Sequence, residues 1–173
     1  MTHRHLRRKA LPGVAVLASL ALWGCGGSIG VMESMDGTGV EVCAPQEEGT
    51  GRAVIAMSEL RVIGDRDVTV TEVALVDPEG LRLLGHDFGA FEDPDFRRVG
   101  FDYTTFGPPT SPTTQTLEAG EAYVLKVGLE GGPSGGSSPA VAISYRLNET
   151  SRVETMHTLI AMRVAAAGEV CAG

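Results

Sequence analysis

The feature that most constrains the fold is an alternation of side chains in the last third of the chain. It recurs in residues 122–129, 140–147 and 158–164, where every second residue is apolar or Thr. Successive side chains of a β-strand point to opposite faces of the sheet, so this period of two predicts strands with one buried face. The predicted inward faces are Tyr123, Leu125, Val127 and Leu129; Val141, Ile143, Tyr145 and Leu147; and Thr158, Ile160, Met162 and Val164. The connectors 131–139 and 148–151 are rich in turn-forming residues, which favours an antiparallel arrangement.

The middle of the chain favours strands as well. Residues 68–76 are dominated by β-branched side chains. The apolar positions change face between Val70 and Val73, so we expect a bulge near Glu72. Residues 53–63 fit either a strand or a short helix, and their β-rich neighbours favour the strand.

Shorter signals complete the pattern. Gly and Asp residues at 64–67 predict a turn between the two apolar stretches, and 77–80 has the composition of a type I turn. Residues 39–43 alternate like a short first strand, which would place Cys43 at a sheet edge.

Strands at short spacing with Gly-, Pro- and Ser-rich turns predict an all-β protein. We expect a single antiparallel immunoglobulin-like β-sandwich of about seven strands over residues 40–173, after a signal peptide (1–24) and a flexible tether (25–39). Residues 60–77 and 120–127 resemble the immunoglobulin-like domains of bacterial surface and periplasmic proteins. The resemblance implies a fold and not an activity. The inter-sheet cysteine pair and buried Trp of such domains are absent, because Trp23 lies in the signal.

The first 24 residues have the order of an export signal. A basic run over residues 3–9 precedes an apolar run over residues 10–23, and small residues lead to Cys25. The apolar run is shorter than the roughly 20 residues that cross a hydrocarbon core, and Pro12 and Gly13 interrupt it. The segment is therefore predicted to be a cleaved signal and not a permanent span.

The end of this signal, Leu22-Trp23-Gly24-Cys25, resembles the lipobox of bacterial lipoproteins. The resemblance implies that Cys25 carries a diacylglyceryl group and becomes the first residue of the mature protein. At about 0.8 kcal/mol per buried CH₂, one acyl chain binds a membrane marginally and two hold firmly. The location implied is the outer face of the cytoplasmic membrane or the periplasmic or surface side. The alternative is an ordinary secretory signal followed by a coincidental cysteine.

The charge of the mature chain limits its partners. The whole chain has a net charge of −8, with 14 basic and 22 acidic residues, and four of the basic residues lie in the signal. The mature part therefore has ten basic residues against twenty-two acidic ones, a net charge of −12. Such a surface repels phosphate backbones and anionic headgroups, so nucleic acid is not an expected partner and the lipid must provide the membrane attachment.

Three cysteines are an odd number for an exported protein. If lipid occupies Cys25, then Cys43 and Cys171 remain, and in an oxidising compartment we expect them to pair. The alternative is two separate buried thiols. Two cysteines alone lack the ligands of a metal site.

Residues 85–120 show little periodicity, and we expect residues 86–112 to be a binding loop because long irregular segments in compact domains often bind something. Its aromatic and acidic residues are the candidate site: His86, Asp87, Phe88, Phe91, Asp93, Asp95 and Phe96. An edge strand near 97–103 is an alternative for part of this segment.

Motifs that suggest chemistry have simpler interpretations. Residues 132–136 match the G-x-S-x-G of serine hydrolases, but that motif needs a strand-to-helix turn and here lies between two predicted strands. Met156, His157 and Met162 suggest copper, yet His157 points away from both methionines, which favours core methionines and a surface histidine. The acidic residues near Asp93 lack the spacing of a calcium loop. The sequon at 148–150 is interpreted as a turn.

No constellation of residues indicates an enzyme, and no cofactor is expected. We expect a membrane-anchored extracytoplasmic lipoprotein that acts as a non-catalytic interaction or structural module. Its partner would be an envelope protein or polymer, bound through residues 86–112 or a sheet edge. The alternative is a lipoprotein that binds a metal ion or a small ligand.

Overall fold

The structure is a computed structural model that describes residues 31–92, 114–147 and 151–171. These residues form eleven β-strands and contain no α-helix, which confirms the all-β class. The strands are β1 (Met32–Ser34), β2 (Val40–Ala44), β3 (Arg52–Val62), β4 (Val68–Val76), β5 (Leu81–Ala90), β6 (Gln115–Leu117), β7 (Ala122–Gly131), β8 (Gly136–Ser138), β9 (Ala140–Leu147), β10 (Val153–His157) and β11 (Ile160–Val164).

The strands form three sheets. Two have four strands, in the orders β1-β3-β7-β5 and β10-β9-β4-β6, and the third has the order β2-β11-β8. All strand pairs are antiparallel except β2 with β11, which is parallel. The expectation of about seven strands, all antiparallel, is therefore wrong in two respects: the described residues include a third sheet, and that sheet contains a parallel pair.

The third sheet exists because one long hairpin bends. Strands β9 and β10 pair in a four-stranded sheet, and their continuations β8 and β11 pair in the third sheet. At the bend two buried hydroxyls replace ladder hydrogen bonds. The Ser138 hydroxyl lies 2.7 and 2.8 Å from the carbonyl oxygens of Val76 and Ala140 and can donate its one hydrogen to either, and the amide of Val141 donates to Thr158 Oγ1 at 2.9 Å. Because these polar groups are satisfied, they can be buried at the corner without the usual desolvation penalty.

One hydrophobic core joins both four-stranded sheets and the third sheet. The alternation in the last third predicts its members correctly, since Leu125, Val127, Leu129, Val141, Ile143, Tyr145, Ile160, Met162 and Val164 are all buried. Strand β7 differs from the half-buried strand expected, because Val124 and Lys126 on its other face are buried too. Its position between β3 and β5 explains much of this, as it has neighbours along both edges.

The bulge expected near Glu72 is present, since the pairing of β4 with β9 shifts between Val70 and Glu72. Residues 53–63 lie largely in strand β3, as their neighbours indicated. The segments 64–67 and 77–80 do not close hairpins within one sheet. Each crosses from one four-stranded sheet to the other, and Glu79 exchanges two backbone hydrogen bonds of 2.8 Å with Ser137 of β8.

The predicted tether contains an ordered strand. Met32–Ser34 form β1, which pairs with Leu60–Val62 at the edge of β3. The Met32 side chain is only 4% exposed and belongs to the core. The carbonyl of Val31 also accepts a hydrogen bond of 2.6 Å from the amide of Ile63. The expectation of a flexible tether over 25–39 is thus wrong for residues 32–34, because composition did not show that Met32 fills a core position.

Candidate functional site

The candidate binding residues divide between a strand and a part of the chain outside the described residues. His86, Asp87 and Phe88 lie in β5, and Phe91 follows the strand. Asp93, Asp95 and Phe96, with the suggested edge strand at 97–103, lie outside the described residues. The loop prediction is wrong for residues 86–90. Strand β5 pairs along its length with β7, but a bulge between Leu83 and Gly85 interrupts the alternation of its side chains. The sequence of β5 therefore shows no period of two in its apolar residues.

The three residues in β5 contact each other and the fold. The rings of His86 and Phe88 pack edge to face with centroids 5.9 Å apart. Phe88 is 4% exposed and belongs to the core. Burial lowers the pKa of His86 below its ordinary value, and the neighbouring Asp87 carboxylate offsets part of that effect. These residues therefore serve packing, and Phe88 cannot present its ring to a partner.

The edge of β5 is covered at this point. Gln115 of β6, in the facing sheet, uses both ends of its side-chain amide on the backbone of Phe88. Its Nε2 donates to the Phe88 carbonyl at 2.8 Å, and its Oε1 accepts from the Phe88 amide at 3.3 Å. The Phe88 amide also donates to Asp87 Oδ1 at 2.8 Å. Gln115 thus takes the place of a pairing strand and links the two sheets, which no sequence pattern indicated.

A shallow cleft of about 390 Å³ lies across the third sheet. Its rim carries Glu41 of β2 with Asp77 and Glu79 of the β4–β5 connection, and its remaining lining residues are Ser137, Ser138, Pro139, Ala161 and Met162. Glu41 has an ion pair with Arg163 at 3.5 Å. The lining contains no His, Cys or Lys and offers three carboxylates and two serine hydroxyls, of which that of Ser138 lies within hydrogen-bond distance of the Val76 and Ala140 carbonyls. Such a rim attracts cations and repels anions.

Asp77 on this rim has an unusual backbone. Its φ of 40° makes it the one non-glycine residue with positive φ among the described residues. Asp tolerates this conformation better than most side chains. In the sequence, residues 77–80 have the composition of a turn and residues 131–139 that of a connector, and no pattern brings these rim and lining residues together. The crossing between sheets that juxtaposes them leaves no local signal.

The structure places the three residues of the copper interpretation in different environments. Met162 is fully buried in β11, Met156 in β10 is partly buried against the core, and His157 is exposed. This confirms the interpretation as core methionines and a surface histidine. Within the described ranges, no group of three or more His, Cys, Asp or Glu side chains could hold a metal ion.

The glycine-rich segment 132–136 is a tight turn between β7 and β8. The amide of Gly135 donates to the Gly132 carbonyl at 2.8 Å, and Ser134 is exposed at the tip. The strand-to-helix turn that a hydrolase nucleophile requires is not formed here. A Cβ on Gly136 would lie 2.6 Å from the backbone of Gly80, so the glycine is required by close packing.

Cys43 and Cys171 form a disulfide, as expected, with their Cα atoms 5.7 Å apart. The bridge joins β2 to the C-terminal tail. The tail is also held by the ion pair between Arg163 and Glu169 at 2.8 Å, which raises the pKa of Arg163 and lowers that of Glu169. Cys25 lies outside the described residues. Residues 31–92, 114–147 and 151–171 contain no helix that is long and apolar enough to cross a membrane.

Comparison with known proteins gives little. No protein-family model matches the chain, and no curated protein matches it. Among solved structures, the chain is similar to the N-terminal domain of PorA, with 16% identity over 80% of this chain and 98% of that one. The TM-score is 0.36, a level of likeness that supports no argument about function.

Proposed function

We propose that this protein is a lipid-anchored extracytoplasmic lipoprotein with an immunoglobulin-like β-sandwich, and that it acts as a non-catalytic interaction or structural module. Its partner would be a protein or polymer of the cell envelope. The lipid on Cys25 would hold the domain at the membrane, and the folded part would supply the binding surface.

The observation that carries this proposal is the disulfide between Cys43 and Cys171. Disulfides persist in oxidising compartments outside the cytoplasm and are rare inside it, so the bridge supports export. The pairing also uses two of the three cysteines and leaves Cys25 for another role. That cysteine follows an export signal at the position where a lipobox cysteine stands.

The proposal assigns no catalytic role to the described residues. In the cleft across the third sheet the Ser138 hydroxyl lies within hydrogen-bond distance of backbone carbonyls, and His86 packs on Phe88 and is not among the lining residues. Ser134 stands at the tip of a turn between two strands. An interaction or structural role needs a stable, positioned surface only, and the disulfide and single core supply one.

The direct test is the Cys25→Ala variant in the expressing bacterium. We expect the wild-type protein in the membrane fraction and the variant in the soluble extracytoplasmic fraction, because the variant has no acyl chain. Ser28→Ala, three residues downstream, is the matched control and should stay with the membrane. A Cys25→Ala protein that remains in the membrane fraction at the wild-type level would refute the anchor.

The partner is tested separately by deleting residues 93–112. The deletion must begin after Ala90, because residues 86–90 belong to β5 and their removal would damage the core. If this segment holds the partner, cross-linked species seen with the wild-type protein in intact cells should be lost. Unchanged cross-linking would show that the partner binds elsewhere, such as at a sheet edge.

A further inference from the structure

The chain leaves the described fold at one end of the strands. The carbonyl of Val31 accepts a hydrogen bond of 2.6 Å from the amide of Ile63, where β3 ends. The loop 63–67, the turn 118–121 and the start of β10 lie at the same end, since Val62 bonds to Glu121 and Val68 pairs with both Leu117 and Leu147. We call this the β1 end.

The opposite end lies far along the strand direction. Strand β3 takes ten residue steps from Val62 to Arg52. At about 3.3 Å per residue this is roughly 33 Å. Arg52 pairs with Glu130 near the end of β7, and the turn with Ser134 follows. Ser134 thus marks the far end, close to the third sheet.

Six residue steps separate Cys25 from Val31. A fully extended chain covers at most about 3.6 Å per step, so Val31 stands no more than roughly 22 Å from Cys25. The chain between Cys25 and the fold would become longer if β1 separated from β3, but β1 is held in place. It is fixed by pairing with β3, by the buried Met32 side chain and by the hydrogen bond of 2.8 Å from the Met35 amide to the Glu59 carbonyl.

From these distances we propose that the β1 end faces the membrane and that its contact surface is the headgroup layer of the bilayer, with the third sheet directed away. This inference rests on the proposed function, because it requires lipid on Cys25. Two of the exposed large apolar side chains are at this end: Ile63, 37% exposed, and Val153, 53% exposed. Each can enter the headgroup region at little cost, since neither carries a charge.

The charges at the β1 end define which headgroups it meets. Asp65, Asp67, Glu118 and Glu121 outnumber Arg66 in the two loops. Anionic headgroups would repel this surface, whereas zwitterionic ones would not. The surface therefore fits a bilayer rich in zwitterionic lipid, and added anionic lipid should increase the distance between the β1 end and the bilayer.

The test is clean because the one Trp of the sequence, Trp23, is removed with the signal, so the mature chain has none. Ile63→Trp and Val153→Trp report on the β1 end by two independent positions, and Ser134→Trp is the matched exposed control at the far end. Each mature variant is purified with its lipid and added to phosphatidylcholine vesicles containing a dansyl-labelled headgroup lipid. Energy transfer from Trp to dansyl then reports the distance to the headgroups.

We expect a large loss of Trp fluorescence for both variants at the β1 end and a small loss for Ser134→Trp. Partial replacement of phosphatidylcholine by phosphatidylglycerol should reduce the loss at the β1 end. Equal losses at both ends, or a larger loss for Ser134→Trp, overturn the orientation while leaving the anchor intact. Failure of the wild-type protein to float with the vesicles overturns the anchor itself, and the orientation with it.

Discussion

Removing the disulfide should have the largest effect on stability of any change at the protein surface. Cys43 and Cys171 are 128 residues apart, so their bond closes a loop containing nearly the whole described fold. In the chain-entropy model a loop of this length loses about 17 cal/mol/K of unfolded-state entropy, which is about 5 kcal/mol at 25 °C. Since the free energy of unfolding of most domains is about 5–15 kcal/mol, the Cys43→Ser/Cys171→Ser protein should be marginal.

The folded state should lose little in this variant. Strand β2 keeps its five-residue parallel pairing with β11. The amide of Ala165 still donates to Ala44 at 2.9 Å, and Gln46 Nε2 still donates to the Ala165 carbonyl at 2.8 Å. The destabilisation should therefore come from a more expanded unfolded state, which also predicts a larger denaturant m-value.

Urea unfolding followed by far-ultraviolet circular dichroism measures the free energy of unfolding and the m-value. The control is the reduced wild-type protein, which differs from the double-serine variant only in having sulfur in place of oxygen at residues 43 and 171. We expect the double-serine and reduced proteins to agree and to unfold at much lower urea than the oxidised protein. A loss below about 1 kcal/mol, with an unchanged m-value, would refute the argument that the bridge acts through loop closure.

Three further predictions concern single positions. Burial lowers the pKa of His86, so the unfolded state takes up a proton first as pH falls below the ordinary value of 6.5. The free energy of unfolding should fall between pH 7 and pH 5 more steeply in wild type than in His86→Gln, and parallel curves would contradict this. Gly136→Ala places a Cβ 2.6 Å from backbone atoms and should lower the free energy of unfolding in urea by about 1–3 kcal/mol. In the control variant Gly37→Ala the Cβ has no atom within 4 Å, so the free energy of unfolding should hardly change. Equal losses in the two variants would contradict the packing argument. Gln115→Met removes both hydrogen bonds to Phe88 and should lower the free energy of unfolding by about 1–3 kcal/mol. It should also expose the β5 edge, so that the variant self-associates in sedimentation. A variant that stays monomeric and as stable as wild type would contradict the role of Gln115 in covering this edge.

The sequence predicts those strands in which the apolar residues face the core and the polar residues face solvent. Strand β9 was predicted at its observed bounds because Val141, Ile143, Tyr145 and Leu147 alternate with polar or small residues. The bulge in β4 was visible because two apolar faces cannot coexist without a register change. Local chemistry is sufficient in such cases, since the pattern and the packing follow the same period.

The remaining parts depend on contacts between distant segments. Strand β5 lacks alternation because of its bulge, and only its pairing with β7 identifies it. Met32 lies in a Gly-rich stretch of the sequence, and only its pairing with Val62 of β3 places its side chain in the core. The cleft across the third sheet combines residues from four separate segments. None of these contacts leaves a periodic signal, because each depends on how the chain crosses between sheets.

Edge protection illustrates the same limit. Gln115 covers β5, and Glu79 pairs with Ser137 beside β8. On β10, Glu154 turns toward the core side, where it accepts a hydrogen bond of 3.4 Å from the Tyr145 hydroxyl. Inward charges and side-chain covers are known ways to prevent edge-to-edge aggregation. In the sequence each of these residues looks like an ordinary polar residue of a surface loop or strand.

The proposed function requires that Cys25 carries lipid and is the first residue of the mature protein. Intact-mass and N-terminal peptide mass spectrometry of the membrane-extracted protein measure both properties. We expect a chain that begins at Cys25, lacks residues 1–24, carries the added mass of a diacylglyceryl group on that residue and retains the Cys43–Cys171 bond. A mature chain that begins elsewhere, or a Cys25 with an unmodified thiol, would contradict it.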